Sequence, residues 1–192
     1  MNSLDFSENQ NRLADSILEL IRHTSAEIPD DVQTTILAAL EREKKGTIAQ
    51  SAMQIIEQNI ALAKQKSQPI CQDTGSVIFY VDCPKGFDQI EFEEAAREAV
   101  KLATKKGYLR QNSVDSITGK NDGTNLGPGA PTLHFHQHRS PEVRVRLMLK
   151  GGGCENVGAQ YSLPIEKLKA DREFGGCRKV ILDAVLQAQG KG

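Results

Sequence analysis

No charge of either sign prevails in this chain: 24 lysines and arginines stand against 25 aspartates and glutamates, for a formal net charge of -1. A near balance creates no basic field of the kind that duplex nucleic acid or anionic lipid attracts, which excludes nucleic acid as a partner class. No stretch approaches the roughly 18 apolar residues of a membrane span. Met1 to Phe6 also lack the basic start and apolar run of a signal peptide. Both absences predict a soluble, cytoplasmic protein with no membrane partner. Cys71, Cys83, Cys154 and Cys177 form no CxxC pair, which argues against a zinc ribbon, and their wide scatter predicts reduced thiols rather than a disulfide framework. Internal repeats and low-complexity tracts are missing too. A chain of 192 residues buries roughly 70% of its unfolded surface, and one compact domain is expected.

Helical periodicity comes first. Leu13, Ile17, Leu20 and Ile21 recur at helical spacing behind Ser7, a candidate cap, and predict a helix to about His23. Pro29 restarts the chain, Asp30 and Asp31 suit a first turn, and Val32, Ile36, Leu37 and Leu40 form one apolar stripe that closes at Lys44, Lys45 and Gly46. Thr47 can cap a third helix whose Ile48, Ala52, Ile55, Ile56 and Ala63 are expected to face inward. Ser76 to Val81, rich in β-branched and aromatic residues, reads as a buried strand, and Cys83 to Gly86 as a turn. Phe92, Ala95, Ala96, Ala99, Val100 and Ala103 give a fourth helix ending at Gly107, its alanines suited to close packing on a sheet. Leu133 and Phe135, then Val143, Val145, Leu147 and Leu149, alternate with polar residues and predict an antiparallel hairpin. A last helix follows Gly175 and Gly176, with Val180, Ile181, Ala184, Val185 and Ala188 as its inner stripe. The pattern predicts an α+β fold: a helical layer over residues 1–67 packed on a mainly antiparallel sheet within 68–192.

Chemistry concentrates in Pro69-Ile70-Cys71-Gln72-Asp73-Thr74-Gly75, where a thiol, an amide and a carboxylic acid sit side by side between a proline and a glycine. Pro69 fixes its own φ and Gly75 permits a turn, so the three groups ride on a short, stiff loop at the mouth of a strand. A metal or cluster iron needs a thiolate ligand and a nearby acid or base, and amides orient a carboxylate substrate. An ordinary Asx turn with a buried cysteine is the plain alternative. Residues 108–131 carry Gly119, Gly123, Gly127 and Gly129 and little apolar periodicity; loops of that length in a compact domain are usually functional or disordered, and a functional loop is expected here rather than a linker. Arg110 at its start offers a bidentate fork for a carboxylate, and Lys120, Asn121 and Asn125 suit anionic or polar ligands. Gly151, Gly152 and Gly153 form a backbone that can approach a ligand closely, or a purely structural bend; without a following Lys-Ser or Lys-Thr they are no P-loop. His134, His136 and His138 share one strand face at a chelating spacing, although Arg144 and Arg146 nearby oppose a cation.

Three segments in this order, 69–75, Leu109-Arg110-Gln111-Asn112-Ser113-Val114 with Gly119-Lys120-Asn121, and Lys150-Gly151-Gly152-Gly153-Cys154-Glu155-Asn156, resemble the iron-sulfur class I fumarases and L-tartrate dehydratases. The likeness covers essentially the whole chain and matches the amino-terminal part of the α (catalytic) subunit. It implies a 4Fe-4S cluster with Cys71 as one ligand, the other two cysteines lying beyond Gly192. It further implies that Gln72, Arg110 and the backbone of Gly151, Gly152 and Gly153 bind a dicarboxylate and that Asp73 transfers a proton. The implied reaction is the reversible hydration of fumarate to L-malate, with tartrate dehydration as the rival and a catalytically silent, partner-binding portion as an alternative of another class. A β subunit or carboxy-terminal domain and a homodimer of the complete unit are implied as partners. Cys83, Cys154 and Cys177 match no ligand position, and the Glu155-Asn156 pair looks more like fumarases.

Overall fold

The computed structural model describes residues 3–189, and their side chains apart from 3–11, Cys154 and Glu155. By contact the chain divides into two units, 1–150 and 151–192. Within the first, α1 (Ser3–Ala26), α2 (Asp30–Arg42) and α3 (Ile48–Lys66) precede β1 (Ser76–Pro84), α4 (Gln89–Lys106), β2 (Thr132–His138) and β3 (Arg144–Lys150). The second holds a short 3-10 turn at Gly153–Val157 and α5 (Phe174–Ala188). The α+β class is as expected. Among the described residues no helix is long and apolar enough to cross a membrane.

The sheet has the order β2-β1-β3, with β1 parallel to β2 and antiparallel to β3. The expected β2–β3 hairpin does not form, and the sheet is mixed. β1 is apolar at nearly every position, whereas β2 and β3 alternate with histidines and arginines, so the strand needing cover on both sides takes the centre and the polar strands take the edges. The connection from Arg139 to Val143 need only cross two strand spacings, about 10 Å, and five extended residues span about 17 Å. Alternation identifies strands; it does not name their partners.

Val77, Phe79, Val81 and Cys83 of β1 are buried on one face. The strand continues through Pro84, so of the expected turn at Cys83 to Gly86 only Lys85 and Gly86 turn. Ile17, Leu18 and Ile21 of α1 and Phe92, Ala95, Ala96, Ala99, Val100 and Ala103 of α4 complete this core. The small residues of α4 let α1 approach it closely, and Phe92 meets Phe79 and Phe135 edge to face at 6.1 and 5.9 Å. On the opposite face Tyr80 stacks on its cross-strand neighbour His134 at 5.0 Å, and Arg146 pairs with Asp82 at 3.1 Å.

Several expected boundaries and faces differ. α1 starts at Ser3, which puts position 7 inside the helix, and runs three residues past His23. Thr47 caps α3 as expected, accepting from the Gln50 N–H at 3.2 Å. Yet α2 buries no residue and α3 buries only Ile60 and Ala63, leaving Ile48 90% exposed and Ile55 and Ile56 also open. In α5, Gly175 and Gly176 lie within the helix, and Ile181 and Val185 of the expected inner stripe are exposed. A periodic stripe records which face can be covered, and nothing within the described residues covers these.

Candidate functional site

The cysteine loop hangs from two helices. α3 ends with Ser67 at φ 50°, and the N–H groups of Ser67 and Gln68 return to the carbonyls of Lys64 and Ala63. This closure satisfies the last carbonyls of the helix and turns the chain. Pro69 is then buried. The Ile70 N–H donates to the Ser25 carbonyl of α1 at 3.0 Å, while the Asn59 amide of α3 donates to the Ile70 carbonyl at 2.9 Å. Both peptide groups of Ile70 are thus held, and Cys71 and Gln72 follow as exposed residues, with Asp73 half-buried.

Thr74 closes the loop from its other end. It is 6% exposed, and its hydroxyl donates to Asn112 Oδ1 at 2.8 Å while accepting from the Arg110 N–H at 3.1 Å. The segment it reaches is set by the end of α4. Gly107 at φ 78° and Tyr108 return their N–H groups to Thr104 and Ala103, and Leu109 plugs into the core at 2% exposure, so Arg110 emerges at the surface beside the cysteine loop. Thr74 therefore ties the loop that carries Cys71, Gln72 and Asp73 to the backbone of Arg110. Sequence reasoning missed Thr74 and Asn112 as its joints, and only the adjacency of Thr74 to Asp73 hinted at it.

The rest of the 108–131 loop is ordered by its own side chains. Asp115 accepts from the N–H groups of Ile117 and Thr118 and from the Thr118 hydroxyl, and Asp122 accepts from the Thr124 N–H and hydroxyl. These bonds, led by the backbone N–H of Thr118 and of Thr124, hold both carboxyls below their ordinary range. Asn121, expected to suit a ligand, instead donates to the Gln111 carbonyl and accepts from Gly123. Asn125 is likewise occupied internally and is a frame residue, not a ligand group.

Gly151, Gly152 and Gly153 open the second unit. Gly152 is exposed, and a Cβ there would meet no atom within 4 Å. Packing therefore does not require glycine at 152. Gly176 differs, because a Cβ would run into the backbone of Asp171. The second unit also contains a cleft of about 450 Å³ lined by Asn156, Tyr161, Asp183 and Gln187 among others, with the Tyr161 hydroxyl donating to Asp183 at 2.7 Å.

As a metal donor set, the described residues offer no group of three or more His, Cys, Asp or Glu side chains. His134, His136 and His138 do not converge with a further donor, and His134 is engaged with Tyr80. Cys83 is core, while Cys177 is exposed on α5. Cys71 fits a single-ligand role: its thiol is exposed on a loop anchored at both ends.

The chain is 48% identical over 184 residues to a putative fumarate hydratase class I of Geobacillus stearothermophilus, covering 94% of this chain and 36% of the relative. It is 29% identical over 185 residues to a putative L(+)-tartrate dehydratase subunit alpha of Methanocaldococcus jannaschii, covering 94% of this chain and 63% of that protein. The L(+)-tartrate dehydratase subunit alpha of Escherichia coli K12 is 27% identical over 150 residues, or 77% of this chain and 49% of the relative. The chain thus spans between about a third and two thirds of the length of these curated relatives. Residues 14–192 match the family model described as fumarate hydratase (Fumerase), and the chain belongs to that family.

Proposed function

We propose that this chain is the α-subunit portion of an iron-sulfur hydro-lyase that hydrates fumarate to L-malate reversibly. The observation that carries the reading is the Thr74 hydroxyl, which joins the Cys71-Gln72-Asp73 loop to the Arg110 backbone. A thiolate, an amide, a carboxylate and a guanidinium are the groups such a reaction needs, and they rise from adjoining, pinned segments. A 4Fe-4S cluster with Cys71 as one of its ligands would supply a Lewis-acidic iron for the substrate hydroxyl and carboxylate. Arg110 binds a substrate carboxylate with its fork, and Gln72 donates to the same dicarboxylate. In dehydration Asp73 takes a proton from the carbon next to the one that loses hydroxide; in hydration it returns that proton.

Fumarate ranks first because the 48% identical relative is named a fumarate hydratase. Tartrate dehydration is the second reading, supported by relatives at 29% and 27% identity named as tartrate dehydratase alpha subunits. Their names support a β subunit as partner, and homodimerisation of the complete unit remains part of the proposal. The exposed Ile181, Leu182, Val185 and Leu186 of α5 support action in assembly with further protein rather than alone. The test is anaerobic reconstitution with iron and sulfide of this chain alone and with its carboxy-terminal and β parts, assayed with fumarate and tartrate. Brown absorbance and fumarate hydration only in the completed complex are expected. A stable cluster on residues 1–192 alone refutes the ligand assignment, and turnover of tartrate in preference to fumarate favours the second reading.

Gly152 gives a separate check. Since a Cβ meets only open space there, Gly152→Ala is expected to leave folding unchanged or to stabilise it by about 0.4–1 kcal/mol. If the backbone at 152 approaches the dicarboxylate, the same change raises KM for fumarate. Thermal melting together with steady-state kinetics separates the two effects, and an unchanged KM removes Gly152 from the binding set.

A further inference from the structure

Asn125 is 6% exposed and holds φ at 58° in the glycine-rich loop. That left-handed conformation is costly for residues with a side chain, and asparagine is among the few that tolerate it. Glycine would adopt it without strain, so an asparagine here must return something through its amide. It returns four hydrogen bonds. Oδ1 accepts from the N–H groups of Asn112 and Ser113, both at 3.0 Å, and Nδ2 donates to the Arg110 carbonyl at 2.7 Å and to Thr104 Oγ1 at 3.0 Å. A primary amide has two donors and two acceptor lone pairs, so its capacity is filled. The reverse amide orientation would set NH2 against two N–H donors.

Three of these bonds go to residues 110–113, and the fourth goes to α4. Thr104 is itself buried, and its hydroxyl donates to the Val100 carbonyl at 2.8 Å. Asn125 thereby transfers the rigidity of a core helix to the segment bearing Arg110. The Arg110 N–H is already taken by Thr74 and its carbonyl by Asn125, so the backbone on both sides of its Cα is fixed and only the side chain is left to rotate. We infer that Asn125 is a positioning residue, which holds the Arg110 guanidinium at the place where it meets a substrate carboxylate. The inference rests on the reading of Arg110 as the carboxylate clamp. Asn125 itself touches no substrate.

The experiment uses the complete, cluster-loaded enzyme carrying Asn125→Gly, Arg110→Ala, or both, with Thr104→Val as a milder variant that cuts the Asn125 anchor to α4 together with the hydroxyl's own bonds to the Val100 and Thr124 carbonyls. Glycine keeps the backbone conformation and removes the four bonds. Asn125→Gly is expected to raise KM for fumarate on the order of 10-fold or more while changing kcat little, because a clamp displaced by even an ångström loses binding. Amide exchange in a peptide covering 110–113 should quicken, with β1 peptides unchanged. Thr104→Val should move KM in the same direction by less. In the double variant KM should match that of Arg110→Ala alone, since a misplaced side chain costs nothing once it is absent. A folded Asn125→Gly enzyme with unchanged KM overturns the inference, and so do effects of the two substitutions that multiply in full. If Arg110→Ala leaves KM unaltered, the clamp reading itself has failed, and that result is read from the single variant before Asn125 is considered.

Discussion

Cys71→Ser in the complete enzyme is expected to lower fumarate hydration on the order of 1,000-fold or more, because it removes one of the thiolates that would hold the cluster in the protein. The substitution swaps sulfur for oxygen and little else. Cys71 is exposed and takes no part in the core, so the stability of the fold should move by no more than about 0.5 kcal/mol. The loop around it should keep its shape too, since its anchors are the Ile70 peptide groups and the Thr74 hydroxyl. Iron content and visible absorbance, measured beside activity, distinguish a lost ligand from a damaged fold. Cys177→Ser is the natural control, as its thiol is also exposed but lies on α5. A Cys71→Ser enzyme that retains full iron and turnover would remove Cys71 as a ligand.

Asp73→Asn should reduce kcat by roughly 10²- to 10⁴-fold, the usual worth of a positioned acid or base. The amide is nearly isosteric with the carboxylate, so a half-buried position between the Ile70 and Thr74 anchors can accept it. What it cannot do is accept and return a proton. KM should therefore change little. Turnover that is unaffected would assign the proton transfer to another group.

Much of the site was legible because its signals are short-range. Proline, cysteine, glutamine, aspartate and glycine within seven residues mark a stiff, reactive loop whatever surrounds it, and Gly107 marks the end of α4 just ahead of Arg110. In the sequence Asn125 reads only as a polar loop residue suited to a ligand. Its actual partners lie on α4 and in 110–113, and their geometry depends on how the core seats Leu109. The apolar stripes of α2, α3 and α5 misled for a related reason. Val32, Ile48, Ile55 and Val185 do follow helical spacing, but spacing carries no information about whether another surface arrives to cover them.

By itself the sequence determined the helices, the three strands, the reactive loop and the family, since periodicity, capping residues and motif order are properties of neighbouring residues. The order β2-β1-β3 was decided only in three dimensions, where the most apolar strand gains by being paired on both edges. So was the frame of the candidate site. Thr74 and Asn112 are 38 residues apart in the chain, and a buried hydroxyl or amide finds such a partner only when packing has already excluded water from both.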